Sequence, residues 1–220
     1  YKNENLEKAS GNIGDYIQSL SAINMYKKIV EKHNDTLYTF ELFLESVFNN
    51  SILNFNFIFI ERDNIENNKN ILVNNIITIM NGWWLHTSEK NQINFKIPNN
   101  IIPIFISFHI SNKTLLKQPY INEFKDYDIG CRDYETRDML IKNNINAYFT
   151  GCLTTTIDFL QYEKKENYVY CVDTKKKNVK HKLLSHFNKK YKNMNPYQGL
   201  QIAYNILKQY SECDNVYTSR

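Results

Sequence analysis

Apolar residues follow two rhythms along this chain, and the two alternate. Short runs rich in Ile, Phe and Val read as strands, while longer stretches carrying an apolar residue at every third or fourth position read as helices. The stretch "GNIGDYIQSLSAINMYKKIVEKH" (11–33) opens on a glycine turn. It then lines up Ile17, Leu20, Ile23 and Tyr26 or Lys27, which predicts a helix starting near Asp15. Strands are predicted at "NFNFIFIE" (54–61), "IITIMNG" (76–82), "IPIFISFHI" (102–110), "YDIGC" (127–131) and "INAYFTGCL" (145–153). Between them, 114–127 reads as helical around a breaking or starting Pro119, and "YETRDMLIKNN" (134–144) reads as a helix. This alternation is that of a mostly parallel sheet layered with helices, an α/β architecture.

Past Phe159 the pattern changes. "QYEKKEN" (161–167) is charged and poor in apolar residues, and "YVYCVDT" (168–174) begins a new strand. Helical stretches around 178–190 and 197–210 follow, then the strand "NVYTS" (215–219). We therefore expect a boundary at 162–167, with one domain over 1–162 and part of a second over 163–220. Two strands and two helices are too little to enclose a core. Together with a first residue that is Tyr rather than Met, this leads us to expect a piece of a longer chain.

Composition narrows the function classes. The 220 residues are 42% hydrophobic and 23% charged, with a formal net charge of +4. That charge is mildly basic, and its densest run, "DTKKKNVKHK" (173–182), has no interleaved aromatic residue, so nucleic acid is not an expected partner. An anionic small substrate suits the charge. The four cysteines, at 131, 152, 171 and 213, include no C-x-x-C pair and no neighbouring His at a zinc-ligand interval, so neither a metal nor a disulfide framework is expected. Buried free thiols fit a reducing compartment, and we expect a cytoplasmic location. No apolar run approaches the ~20 residues of a membrane-spanning helix.

Several stretches carry possible chemistry. "NIGDYIQS" (12–19) puts Gly14 and Asp15 at a helix start, where free N–H groups can take an anion, and Asp15 reads either as the N-cap or as a catalytic carboxylate. "MNGWWLHT" (80–87) ends a strand in Trp83 and Trp84, one expected in the core and one able to platform a sugar ring, with His86 on the surface. His109 ends another apolar strand, either as a structural histidine or as an acid or base. In "GCRDYET" (130–136), Arg132 follows a strand and precedes a helix. There a guanidinium can grip a phosphate or carboxylate in bidentate fashion, with Asp133 capping the helix or orienting Arg132. The competing reading is a salt bridge from Arg132 to a neighbouring acid. "GCLTTT" (151–156) adds hydroxyls, Thr154 and Thr155 among them, at a further strand end. "KDYD" (125–128) is an Asp-x-Asp at the opposite edge and carries little weight as a metal motif.

Taken in order, "NIGDYIQS", "IMNGWW", "IIPIFISFHI", "IGCRDYETRDML", "INAYFTGCLTTTIDF", "VYCVD" and "NVYTSR" resemble the polysaccharide pyruvyl transferase family. The resemblance implies two facing Rossmann-like domains of GT-B-like architecture, here the first and part of the second. It also implies transfer of the pyruvyl unit of phosphoenolpyruvate to a sugar hydroxyl of a glycan, with no metal or redox cofactor. The implied substrate-binding residues are Asn12, Gly14, Trp83, Trp84, Arg132, Thr154, Thr155 and Arg220. Asp15 is the expected base for the acceptor hydroxyl, and His109 a further acid or base. In the family an Arg-Leu-His triplet contacts phosphoenolpyruvate; this chain supplies Arg220 and ends, so this piece alone is expected to be inactive. A GT-B-like glycosyltransferase using a sugar nucleotide, or an inactive glycan-binding remnant, are the alternative readings.

Overall fold

The computed structural model describes residues 10–58, 60, 65, 75–84, 95–111, 113–158, 160, 169–174, 181–213 and 215–218. Its helices are α1 (Ile13–Asn34), α2 (Phe40–Asn49), α3 (Tyr134–Lys142) and α4 (Pro196–Glu212). Its strands are β1 (Ile76–Trp84), β2 (Ile101–Ile110), β3 (Ile129–Cys131), β4 (Ala147–Phe149), β5 (Val169–Val172), β6 (His181–Leu184) and β7 (Asn215–Thr218). The fold is α/β and Rossmann-like, with two parallel sheets ordered β1-β2-β3-β4 and β6-β5-β7. Among the described residues no helix is long and apolar enough to cross a membrane. The chain forms two compact units: one is Ile58–Thr156, and the other joins Tyr1–Phe57 to Ile157–Arg220. The first unit is thus an insertion in the second, whereas the sequence pattern placed one boundary, at 162–167.

In the unit 58–156 the core lies under one face of the four-stranded sheet, where Met80, Phe105, Phe108, Phe124, Ile129 and Leu140 are buried. Burial of each such side chain contributes about 1.5–3 kcal/mol. α3 closes a β3–α3–β4 crossover, the connection that parallel neighbours require. It starts where Asp133 caps it, accepting from the Thr136 N–H at 2.8 Å. The stretch 114–127 forms two short 3-10 turns, Lys113–Leu116 and Tyr120–Phe124, either side of Pro119, rather than one helix.

β2 contains the feature that sets the site. Its burial alternates from Ile101 to Phe105, but then both Ser107 and Phe108 are buried, and Ile110 after them. The register explains this: Met80 pairs with Phe105 but Gly82 with Phe108, so β2 carries one extra residue there. Ser107 takes φ +60° at this bulge. Its N–H donates to Thr150 Oγ1 at 3.0 Å, and its Oγ accepts from the Leu153 N–H at 3.0 Å. Thr150 Oγ1 in turn donates to the Cys131 carbonyl at 3.0 Å. A bulge shifts the faces of every residue beyond it. Without it His109 would share the inward face of Ile101 and Phe105; with it, Phe108 and Ile110 turn inward and His109 turns out.

In the discontinuous unit, α1 packs on α4. Ile17, Leu20 and Ile23 lie in the buried stripe of α1, as the spacing predicted, and Tyr16 joins them while Tyr26 is only half-buried. Its start differs, because Asn12 is the N-cap, accepting from the Gly14 N–H at 3.1 Å, and Asp15 sits inside the first turn. Gly199 of α4 lets the Tyr16 ring come close, since a Cβ there would lie 2.3 Å from it. α2, in a stretch to which the pattern above assigns no element, is capped by Thr39 and buries Phe40, Phe43, Leu44 and Val47. The helix predicted over 178–190 is replaced, in its described part, by β6 and a turn. Residues 181–184 pair with β5, a tertiary pairing that overrides a weak helical rhythm. The strand predicted at 54–61 does not form among its described residues.

The close approach of β3 to the bulge makes Gly130 irreplaceable. A Cβ there would lie 2.8 Å from the Phe105 carbonyl oxygen and 2.6 Å from Thr150 Cγ2. Gly130→Ala is expected to lower stability by roughly 1–3 kcal/mol, the cost of overpacking. Urea denaturation reads this as a lower midpoint at unchanged slope, and an unchanged midpoint contradicts the packing described.

Candidate functional site

Because β1 to β4 run parallel, their carboxyl ends meet at one edge, the usual ligand edge of such a sheet. Trp83 and His109 are cross-strand register partners, and their rings stack 4.8 Å apart at 25°. On the other side of β2, Phe108 pairs with Cys131, and the Arg132 N–H donates to the Phe108 carbonyl at 2.9 Å. The Arg132 backbone is therefore pinned beside His109. Trp83, His109 and Asp133 form one cluster, with the Arg132 backbone beside it.

Within the cluster Asp133 has two partners. One carboxylate oxygen caps α3, and the other lies 2.5 Å from His109 Nδ1. Thr136 Oγ1, fully buried, is 3.2 Å from the same ring nitrogen. Burial raises the Asp133 pKa, but hydrogen bonds from the Thr136 amide, His109 and the Thr136 hydroxyl outweigh it, and the net effect holds the carboxyl below its ordinary range. Asp133 thus caps the helix, as one of the two expected roles had it, and its second oxygen goes to His109 rather than to Arg132. No described residue gives the half-buried Arg132 guanidinium a hydrogen bond or an ion pair, so the salt-bridge reading has no partner here. A planar, half-exposed cation at the carboxyl end of a strand is suited to a phosphate or carboxylate.

The other anticipated residues are placed differently. Thr154 Oγ1 is 3.0 Å from Cys152 Sγ, and Thr155 Oγ1 donates to the Cys152 carbonyl at 2.7 Å, so both serve the short turn Leu153–Thr156. The threonine that reaches the cluster's scaffold is Thr150. Asn12, Gly14 and Asp15 belong to the discontinuous unit. There the first N–H groups of α1 are taken: Ile13 by the His186 carbonyl at 2.7 Å, Gly14 by the Asn12 side chain, and Asp15 by the Asn12 carbonyl at 3.1 Å. The anticipated anion seat is closed, Gly14 lies within the helix, and the Asp15 carboxylate accepts from Ser10 Oγ at 2.5 Å. Of "KDYD", Asp128 accepts from Asn146. Among the described residues no group of three or more His, Cys, Asp or Glu is arranged to hold a metal. Arg220, His86, residues 161–167 and the Trp84 side chain lie outside what is described.

The discontinuous unit has a groove of about 600 Å³ between α1, α2 and α4. Two of its ion pairs are matched, Lys27 with Glu31 at 2.7 Å and Lys28 with Asp158 at 2.6 Å, and Glu41 accepts from the Tyr204 hydroxyl. Such mutual neutralisation leaves less field for a charged ligand than the open Arg132.

Two contacts were hidden from the sequence for the same reason. Neither the His109–Asp133 contact nor the Thr150–Ser107 bond lies within one element, and no local spacing encodes them.

Cys131, at the base of the cluster, is fully buried, and burial with the nearby Asp133 charge pushes its thiol up to about 12, against a smaller opposing effect of Arg137. Cys131 is expected to resist alkylation at pH 8 in the folded protein and to react once unfolded in urea; labelling at the same rate in both states would overturn this. Because the folded pKa lies above the unfolded value of about 8.5, the thiol's contribution to stability is complete below that pH and declines above it.

Against this geometry, the comparison with known families is direct. The sequence pattern of the family described as polysaccharide pyruvyl transferase matches residues 12–220, spanning both units. No curated protein and no solved structure gives a significant match. With nearly the whole length covered, the chain belongs to the polysaccharide pyruvyl transferase family.

Proposed function

We propose that the protein transfers the pyruvyl unit of phosphoenolpyruvate to hydroxyls of a glycan, and that Arg132 binds the donor. The observation that carries this is Arg132 at the carboxyl edge of the sheet, its backbone N–H bound to the Phe108 carbonyl next to His109 and its half-exposed guanidinium paired with no described residue. Phosphoenolpyruvate is the small anion that fits, since it offers a phosphate and a carboxylate to a bidentate cation. In the reaction a sugar hydroxyl oxygen bonds to C2 of the enol, and its proton is released to a base. C3 gains a proton, the C2–O bond to phosphate breaks, and phosphate leaves. A second sugar hydroxyl oxygen then bonds to the cationic C2 that phosphate has left, and its proton goes to the departing phosphate, which closes the ketal. His109 is placed to move one of these protons, and the exposed face of Trp83 suits a sugar ring. Asn12, Gly14 and Asp15 lie in the other unit and have no part in this proposal.

A hydrogen bond to a charged group contributes about 1.5–3 kcal/mol, so a bidentate grip lost with Arg132 corresponds to roughly a hundredfold in affinity. Calorimetric titration of the full protein with phosphoenolpyruvate is expected to show binding that Arg132→Ala abolishes or weakens by that order. Unchanged affinity in the variant would sink the site. Binding of a uridine diphosphate sugar, with none of phosphoenolpyruvate, would replace this reading by a glycosyltransferase.

A further inference from the structure

We propose that Asp133 is the positioning residue of His109, fixing the ring as its Nδ1–H tautomer so that Nε2 faces outward as the proton acceptor. The role given to Nε2 rests on the transferase reading; the tautomer itself does not.

The argument runs through donors and acceptors. An ionised carboxylate only accepts hydrogen bonds. The 2.5 Å contact between Asp133 Oδ2 and His109 Nδ1 therefore needs a proton on Nδ1. Thr136 is compatible with that tautomer, because its Oγ1, which accepts from the Ile110 N–H at 3.4 Å, lies 3.2 Å from Nδ1 and can share the same Nδ1–H as a second acceptor. In a neutral imidazole the lone pair is then on Nε2, at the far side of the ring from Asp133. No described residue bonds Nε2. Trp83 stacks on the ring and holds its plane. Orientation, tautomer and plane are each determined by a different neighbour, which is what a proton-transfer group requires and a surface histidine does not.

Asp133 is also itself immobile. Its other oxygen is committed to the first turn of α3, so the helix that begins at Tyr134 anchors the carboxylate that aims the histidine. The dual role allows a clean test. In Asp133→Asn the Oδ1 atom still caps the helix, since Asn is as good an N-cap as Asp. The amide NH2 replaces the accepting oxygen and donates to Nδ1, which forces the proton to Nε2.

The experiment is long-range proton–nitrogen NMR of the 15N-histidine-labelled full protein, at a pH where the His109 ring is neutral. The wild type is expected to show a protonated Nδ1 and a bare Nε2, and Asp133→Asn the reverse. A wild type already protonated at Nε2, or a variant with the wild-type pattern, overturns the proposal. Should Asp133→Asn fail to fold, Asp133→Ser retains a capping oxygen but cannot reach the ring. A wild-type fraction of the Nδ1–H form that persists in it has the same overturning meaning. With phosphoenolpyruvate as donor, Asp133→Asn is expected to leave KM for it within about threefold and to cut kcat by 10²-fold or more. A change confined to KM overturns the positioning role. Failure of wild-type phosphoenolpyruvate binding would count against the donor alone, because the tautomer is read without any ligand.

Discussion

One extra residue in β2 is the constraint on which the rest of this site depends. The bulge at Ser107 reverses the faces of the last three residues of the strand, so the core keeps Phe108 and Ile110 while His109 is released to the functional edge. A non-glycine residue at φ +60° is costly, and it persists because its surroundings over-determine it. Ser107 is held on both its N–H and its hydroxyl by residues just beyond β4, and Gly130 gives the neighbouring backbone room to pass. The strands that carry His109, Arg132 and Thr150 are thus locked by one small network.

The same network explains how charges are apportioned at the edge. The tetrapeptide Cys-Arg-Asp-Tyr at 131–134 could have closed on itself as a local ion pair. Instead Asp133 faces the helix it caps and the histidine on the next strand, which leaves Arg132 with no ion pair among the described residues. Desolvating a cation without a partner is unfavourable, and keeping it half-exposed moderates that cost. Below it, a neutral buried thiol adds no competing charge.

In the discontinuous unit, the helix start that most resembles an anion seat is instead a structural joint. The first N–H groups of α1 bond to Asn12 and to the turn after β6, and Asn12 and Phe187 form an antiparallel bridge. These bonds, with Tyr16 packed over Gly199, tie residues near the start of the chain to residues nearly two hundred positions later. A helix N-terminus offers anion affinity only while its N–H groups remain open.

Much of this was present in the sequence. The apolar runs at 76–82 and 102–110 are strands because Ile and Phe suit a pleated surface with one face in the core, and "YETRDML" is a helix because Asp133 caps a stretch holding Glu135, Arg137, Met139 and Leu140. Arg132 and His109 stood out locally, as a cation in a strand-to-helix turn and a histidine at a strand end. Local pattern could not decide the partners, because they come from different strands: whether Asp133 serves Arg132 or His109, whether the hydroxyls of Thr154 and Thr155 face a ligand or their own turn, and where the bulge falls. Nor could it reveal that 1–57 groups with 157–220, since that depends on pairings across the whole chain. The sequence determined which elements form and where charge lies along them. Only the tertiary structure decided which charges are matched, because hydrogen bonds between distant residues are a property of register and packing.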